Sequence, residues 1–211
     1  MSAPATDSTA YSPRQNDVLD SALRLLVEGG EKALTTAGLA RAANCSKESL
    51  YKWFGDRDGL LSAVIEFQAR KVRVPAEAEG LLNAAELRQR LEEFARELLA
   101  VLASDASLAL NRLAIGQASG EGARLGRLLQ ERGRRGIGRR IEALLEAARD
   151  AGLLAFDEAG EAYATLYGLI VTDQHLRWLL GEKPDPASFG PRAEKAVAAF
   201  LRLHGIQGFP P

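Results

Sequence analysis

The stretch CSKESLYKWFGDRD, residues 45–58, contains few residues suited to a core and many suited to a partner. Leu50 and Phe54, spaced i and i+4, share one face of a helix and are the residues expected to be buried. Around them lie two other aromatic residues and three cations: Lys47, Tyr51, Lys52, Trp53 and Arg57. The stretch therefore predicts a short helix held by two apolar side chains, whose other face is free to contact a partner.

A second short helix is predicted just before this stretch. We expect it to begin after Thr36, whose hydroxyl suits an N-cap, and to last roughly eight residues. Asn44 follows where the chain must turn, because Asn accepts positive φ better than other non-glycine residues. Cys45 is a small apolar plug, and Ser46 caps the next helix. A helix, a three-residue turn and a second helix have the geometry of a module that enters the DNA major groove.

Two longer helices are predicted on either side of this pair. The first begins at Arg14, carries an apolar stripe at 3.6-residue spacing and ends at Gly29-Gly30. The fourth begins after Gly55-Asp56 and runs to about Arg73, before Pro75. Residues 14–73 are therefore predicted to form a helix-turn-helix domain with a recognition helix at about 47–53. Residues 1–13, rich in Ser, Thr, Ala and Pro, are predicted to be a flexible arm.

Residues 74–211 are predicted to form a second, entirely helical domain, so the fold class is all-α. After a linker at 76–85, the apolar spacing predicts helices over 85–103, 106–118, 121–151, 157–181 and 187–204, with a break near 133–138. Helix 157–181 is apolar on two sides, so one side needs a partner outside the subunit core. We therefore expect a homodimer formed through helices 157–181 and 187–204.

Composition excludes several classes of protein. The chain of 211 residues is 46% hydrophobic and has a net charge of −1, so any contact with nucleic acid must come from a local patch. One cysteine and two distant histidines form neither a disulfide nor a metal site. No apolar run approaches the ~18 residues that cross a bilayer, and no signal peptide is evident. We expect a cytoplasmic protein without cofactors, catalytic residues or a membrane partner.

Residues 18–66 resemble the N-terminal domain of TetR-type transcriptional regulators. The resemblance rests on motifs that occur in order: Thr-Thr before Leu-Ala, then Ser-Lys, Leu-Tyr, an aromatic pair ending in Phe, and an acidic-basic helix start. It covers about a quarter of the chain, and the helical remainder suits the family's ligand-binding and dimerising domain. It implies an N-terminal helix-turn-helix joined to a C-terminal effector-binding bundle.

The resemblance also implies contacts with double-stranded DNA, residue by residue. Thr36, Trp53 and Arg57 match positions that meet phosphate. Positions that read base edges, or touch the backbone and neighbouring bases, are matched by Ser46, Lys47, Glu48, Ser49, Tyr51 and Lys52. Glu48 is acidic, yet a carboxylate can accept a hydrogen bond from the cytosine amino group. Trp53 has an alternative interpretation as a residue packed between helices.

Three departures from the family pattern bear on DNA reading. Asn44-Cys45 replaces the usual Gly-Val of the turn and still meets its backbone and burial requirements. Ala37 and Gly38 stand where some relatives place a base-reading cation, so the second helix should make fewer contacts with bases. The arm before Arg14 contains no Lys or Arg, which weakens any grip on the minor groove.

Four residues are candidate ligand contacts because they are polar groups in apolar helices: Arg112, Thr172, Asp173 and Arg177. Asp173 and Arg177, spaced i and i+4, alternatively form an ion pair within one helix. Arg112 is either buried and paired or positioned to meet an anionic ligand. His175 is predicted to lie at the surface or in an interface. The arginines of residues 132–140 form either a phosphate patch or a solvated helix face.

Two main hypotheses follow from the sequence. The first is a sequence-specific, ligand-responsive homodimeric repressor, released from a near-palindromic operator by a small-molecule effector. The alternative is a helical ligand- or partner-binding dimer that does not read DNA. An all-α enzyme is a third hypothesis, but no nucleophile and base converge in the sequence.

Overall fold

The computed structural model describes residues 11–74, 82–118 and 123–206, and its regular structure is helical, apart from one isolated antiparallel bridge between Leu154 and Gly205. The all-α prediction is confirmed. The N-terminal domain consists of four helices: α1 Pro13–Ala33, α2 Thr36–Ala42, α3 Lys47–Phe54 and α4 Arg57–Arg70. Gly30 interrupts α1 with φ 62° and ψ −157°, close to its predicted end.

Local caps define the three short turns of this domain. Ser46 and Asp56 accept hydrogen bonds from the backbone N–H groups of Ser49 and Gly59, as expected for N-caps. Asn44 has φ 49°, which confirms the predicted left-handed turn. The prediction of Thr36 as an N-cap is wrong by one residue, because Thr35 accepts from the Gly38 N–H and Thr36 is the first residue of α2.

Two contacts attach the start of the chain to this domain. Arg14 donates hydrogen bonds to the carbonyl oxygens of Ala43 and Asn44 at 2.6 and 2.7 Å, so it caps the end of α2 and holds the turn. The Tyr11 ring contacts Phe54 edge to face, and its hydroxyl donates to Glu66 at 3.0 Å. The predicted flexible arm is therefore wrong for residues 11–13, while residues 1–10 lie outside the described part.

The described residues of the C-terminal domain form seven further α-helices. These are α5 Ala84–Ala103, α6 Asp105–Gly116, α7 Ala123–Leu128, α8 Arg135–Asp150, α9 Ala159–Val171, α10 Gln174–Leu179 and α11 Phe189–His204. A π-helical segment, Leu129–Arg134, joins α7 to α8, and a 3₁₀ turn, Pro186–Ser188, precedes α11. Of the predicted linker 76–85, only residues 82–85 are described, and α5 already begins within them.

Two helix predictions need correction. The fourth helix ends at Arg70 instead of about Arg73. The predicted helix 157–181 is two helices, because Thr172 adopts φ 45° between α9 and α10. Arg192 of α11 holds this break, since its guanidinium donates to the Thr172 hydroxyl at 2.9 Å and to the Gln174 side chain at 3.1 Å. The predicted break near 133–138 is placed too late, because the irregular part is the π-helical segment Leu129–Arg134 and α8 is regular from Arg135 onward.

α4 belongs to both hydrophobic cores of the protein. Its Leu60, Val64 and Ile65 pack in the N-terminal core with α1 to α3, α6 and α7. Its Ala69 joins the C-terminal core formed by α5, α8, α9 and α11. Arg140 of α8 fastens the same end of α4, because its guanidinium donates to the Ala69 and Val72 carbonyl oxygens at 2.7 and 3.0 Å. Movement of α4 therefore requires rearrangement in both domains.

No single helix among the described ranges is long and apolar enough to cross a membrane. The bent pair α5–α6 meets the length and hydropathy criteria only when its two helices are taken together, and they meet at 63°.

Candidate nucleic-acid interface and internal cavity

α3 is held by the two residues that the sequence assigns to the core. Leu50 and Phe54 are 3% and 8% exposed, and they pack in the N-terminal core. Lys47 and Lys52 are exposed, and Tyr51 is 54% exposed although it is a large aromatic residue. Trp53 is half-buried and contacts the Phe54 ring edge to face. This contact agrees with the interpretation of Trp53 as a residue packed between helices, although part of its side chain remains accessible.

The beginning of α3 combines a cap with a charge. Ser46 accepts from the Ser49 N–H at 3.1 Å, and the two hydroxyl oxygens lie 3.2 Å apart. Hydrogen bonds from its own backbone N–H and from Ser46 lower the pKa of Glu48, which is fully exposed. Glu48 is therefore an ionised acceptor at neutral pH, as a contact with a cytosine amino group requires.

Three of the predicted DNA contacts are the first residues of consecutive helices. Thr36 begins α2, Lys47 begins α3 and Arg57 begins α4. Lys47 and Arg57 are exposed, and Thr36 is half-buried. The backbone N–H groups at helix starts favour anions, and a Lys or Arg placed there adds positive charge. The arrangement therefore suits a row of phosphates.

A shallow surface hollow between α2 and α3 reveals a cation that the sequence analysis missed. It is lined by Ala37, Ala40, Arg41, Asn44, Cys45 and Lys47. Arg41 is exposed and shares this hollow with Lys47. Its position at the end of α2, one helical turn after Ala37, was a usable signal. Cys45 is half-buried, so the predicted plug is only partly covered.

A cavity of about 90 Å³, partly open to the surface and called the internal cavity below, lies where α4 meets the C-terminal helices. Ile65, Gln68 and Ala69 of α4 form one wall. The other walls come from α5, α6, the π-helical segment, α8, α9 and α10: Leu98, Val101, Leu102, Ser107, Leu110, Asn111, Leu129, Gly133, Arg134, Ile137, Tyr167 and His175. π-Helical segments are frequent at functional sites, which agrees with this position.

The four candidate ligand contacts lie away from this cavity lining. Arg112 donates to the Trp178 and Leu179 carbonyl oxygens at 2.7 and 3.0 Å, so it caps the end of α10. Thr172 and Asp173 are exposed at the break between α9 and α10. Arg177 forms an ion pair with Glu182 at 2.7 Å, instead of the predicted pair with Asp173. These residues stabilise the α10 region and do not form a wall of the cavity.

Matches to protein families agree with this two-part architecture. Residues 18–64 match the model for bacterial regulatory proteins of the tetR family. Residues 89–206, more than half of the chain, match the C-terminal domain of AefR-like transcriptional repressors. The chain belongs to the TetR family. Members of this family are DNA-binding transcriptional regulators that act as dimers.

Solved structures of TetR regulators support the same conclusion. A TetR transcriptional regulator from Agrobacterium tumefaciens is 65% identical, with a TM-score of 0.83, and the match covers 93% of this chain and 97% of that one. The flavonoid-responsive regulator FrrA is 28% identical, with a TM-score of 0.68 and coverage of 92% and 98%. The uncharacterized HTH-type regulator Rv1556 of Mycobacterium tuberculosis is 38% identical over 77 residues, 36% of this chain and 38% of that protein's length.

The cavity of this TetR protein has polar walls that the sequence analysis did not single out. Gln68 is 5% exposed in the structure. In the sequence it interrupts the apolar stripe of α4, and this interruption was the signal that could have identified it. His175 is half-buried and lines the cavity, so the surface part of its prediction is wrong, while its place in an interface stays a prediction; burial lowers its pKa. Tyr167 also lines the cavity, and burial raises the pKa of its phenol.

Most arginines of residues 132–140 are exposed, which agrees with the interpretation as a solvated helix face, although several of them also have partners within the protein. Arg132 forms an ion pair with Glu66 of α4 at 3.0 Å, and the Arg134 guanidinium lies 4.3 Å from the centre of the Tyr167 ring. Together with Arg140 at the end of α4, these side chains connect the π-helical segment and α8 to α4 and α9.

Proposed function

We propose that the protein is a homodimeric repressor that leaves a near-palindromic operator when a small molecule binds in the internal cavity. The observation that carries this proposal is the position of α4. The first half of α4 packs in the same core as Leu50 and Phe54 of the recognition helix, and its second half forms a wall of the cavity. A molecule that moves α4 therefore moves the DNA-reading face.

The exposed face of α3 supports the DNA half of this proposal. We propose that Lys47, Glu48 and Tyr51 approach base edges and nearby phosphates, while the starts of α2 and α4 meet phosphate through Thr36 and Arg57. Two such helices in a dimer would enter successive major grooves about 34 Å apart. Arg41, next to Lys47, adds a cation on the same side.

Exposed apolar residues support a dimer through helices α9 to α11. Leu176, Leu180 and Leu203 are 57%, 79% and 65% exposed in the single chain, and exposed apolar patches mark protein interfaces. On α9, the exposed small residues Gly160, Ala164 and Gly168 follow at four-residue intervals, which permits close approach of a second helix. These positions fall within the interface that the sequence predicts.

The cavity supports control by an effector. One wall of the cavity is α4, so a molecule bound there contacts the helix that shares a core with α3. The effector changes DNA affinity only as far as it binds the displaced and undisplaced forms unequally. FrrA, a structural relative named as flavonoid-responsive, supports a small organic molecule as the signal.

The test begins with genomic DNA fragments selected on the purified protein and sequenced. We expect enrichment of a near-palindrome, with half-sites about one helical turn apart and an affinity that falls steeply with salt. Sedimentation of the bound complex should give two chains per operator. Absence of sequence-specific binding at low salt would contradict the proposal and favour the dimer that does not read DNA.

A further inference from the structure

The inference concerns the chemistry of the effector, and it rests on the proposed function of the cavity. Two of its lining residues each have a buried side-chain atom without a hydrogen-bond partner in the described part of the chain: Gln68 Oε1 and His175 Nε2. A third such atom, Trp178 Nε1, belongs to a residue outside the lining. Buried polar groups are normally paired, so two unpaired atoms at one cavity indicate where a bound molecule supplies partners.

The orientation of the Gln68 amide follows from its neighbours. The Ser104 hydroxyl donates its hydrogen to the Val101 carbonyl oxygen at 2.7 Å. Ser104 Oγ can then only accept from Gln68, so the amide nitrogen must face it, at 2.9 Å. Oε1 is therefore the unpaired atom, and it is purely an acceptor. A ligand atom that satisfies it has to carry a hydrogen.

The charge of the lining argues for an uncharged ligand. None of the described lining residues is Asp or Glu, so nothing there attracts a cation. Burial lowers the pKa of His175, which keeps its imidazole neutral at neutral pH and leaves Nε2 able to donate or accept according to tautomer. Arg134 is exposed, and its guanidinium lies over the Tyr167 ring. A carboxylate near Gln68 would meet the lone pairs of Oε1.

We propose that the effector is an uncharged, largely apolar molecule bearing a hydroxyl or N–H group that donates a hydrogen bond to Gln68 Oε1. Most of the lining is aliphatic, including Ile65, Leu98 and Leu110, and it receives the apolar body of the molecule. His175 Nε2 provides a second polar contact. Because Gln68 lies on α4, the hydrogen bond that selects the molecule is formed with the helix that connects to the DNA-reading face.

Three probes of similar size test this proposal on the full chain, without DNA, by titration calorimetry at neutral pH. p-Cresol carries the hydroxyl, p-xylene replaces it with a methyl group, and 4-methylbenzoate carries a charge. We expect p-cresol to bind about tenfold more tightly than p-xylene, because p-xylene leaves a buried acceptor unpaired. 4-Methylbenzoate should bind more weakly than p-cresol.

Gln68→Met keeps the length of the side chain and removes the acceptor. In this variant we expect p-cresol and p-xylene to bind equally, with p-xylene affinity close to that of the unmodified protein. Gln89→Met, the same change at an exposed site on α5, should preserve the preference for p-cresol. If Gln68→Met does not fold, as judged by circular dichroism, the ranking of the three probes on the unmodified protein decides.

The outcomes separate this proposal from the proposed function. Equal binding of p-cresol and p-xylene, tighter binding of 4-methylbenzoate, or no binding of p-cresol overturns the effector chemistry and leaves operator binding unaffected. Selective binding of p-cresol that depends on Gln68 supports it. If p-cresol then fails to change operator affinity, the effector chemistry stands and control of DNA binding through the cavity is wrong.

Discussion

Two short helices, α3 and α10, are attached to the protein in the same way and differ in what they present outward. α3 is held by Leu50 and Phe54, while α10 is held by Trp178, which is 1% exposed. The outer face of α3 carries Lys47, Tyr51 and Lys52. The outer face of the α10 region carries the exposed leucines Leu176 and Leu180. Cations beside an aromatic residue suit a phosphate-rich partner, and leucines suit another protein surface.

The internal cavity is connected to both helices, although only α10 lines it directly. Gln68 reaches it from α4, which packs against α3, and His175 reaches it from α10 itself. An effector in the cavity therefore touches the support of the proposed DNA face and the support of the proposed dimer face. The comparison predicts that the buried residues of α3 and α10 act alike when changed, while their outer residues affect different partners.

The largest expected effect comes from removing the buried residue of either helix. We expect Trp178→Ala and Phe54→Ala each to lower the free energy of unfolding by about 3–5 kcal/mol, through lost burial and a residual cavity. Urea unfolding followed by circular dichroism at fixed protein concentration measures this. Tyr51→Ala, an exposed aromatic residue on the same helix as Phe54, should cost less than about 0.5 kcal/mol. A similar loss for all three would contradict the division into buried and outer residues.

The next effect concerns the outer face of α10. We expect Leu176→Asp combined with Leu180→Asp to weaken dimerisation at least about a hundredfold, because two charges replace apolar side chains of the proposed interface. Sedimentation equilibrium measures the monomer–dimer constant, and operator binding should fall with it.

The matched control is Val27→Asp. Val27 is also an exposed apolar residue, at 43%, but it lies on α1, away from the proposed interface. It should leave the dimer unchanged. A dimer that tolerates the α10 changes and fails with Val27→Asp would move the interface to the N-terminal domain.

A smaller effect is expected on the outer face of α3. Lys47→Ala should lower operator affinity about tenfold and reduce the slope of log affinity against log salt by about one, as for the loss of one phosphate contact. Fluorescence anisotropy with a labelled operator measures both quantities. Lys183→Ala, an exposed lysine in the segment between α10 and α11, serves as the control. Unchanged affinity in Lys47→Ala would remove Lys47 from the proposed contacts.

The same pair of helices explains what sequence reasoning could reach. α3 follows from local chemistry: Asn44 tolerates positive φ, Ser46 caps, and Leu50 and Phe54 share one face. The cap of α2 was misplaced because Thr35 and Thr36 are equally suitable, and only the fold shows which hydroxyl meets the Gly38 N–H. Such errors of one residue leave the recognition helix in place.

α10 could not be separated from α9 by local signals. No Gly or Pro stands at Thr172, and the break is held by Arg192, which lies 20 residues away. The same reason hid the cavity, because the burial of Gln68 and His175 depends on which helices face each other. A polar residue in an apolar stripe does mark the cavity, at Gln68 on α4, whereas the polar residues predicted as ligand contacts lie outside its lining.

The smallest expected effect concerns Arg112, which the structure places outside the cavity lining. Its guanidinium donates to two carbonyl oxygens at the end of α10, so Arg112→Ala should lower the free energy of unfolding by about 1 kcal/mol. Arg177→Ala breaks only an exposed ion pair with Glu182 and should cost less than about 0.5 kcal/mol. Binding of p-cresol to Arg112→Ala tests the alternative role of Arg112 as a ligand contact. If Arg112→Ala abolishes probe binding without loss of stability, then Arg112 is a ligand contact after all, and the cavity must extend to the end of α10.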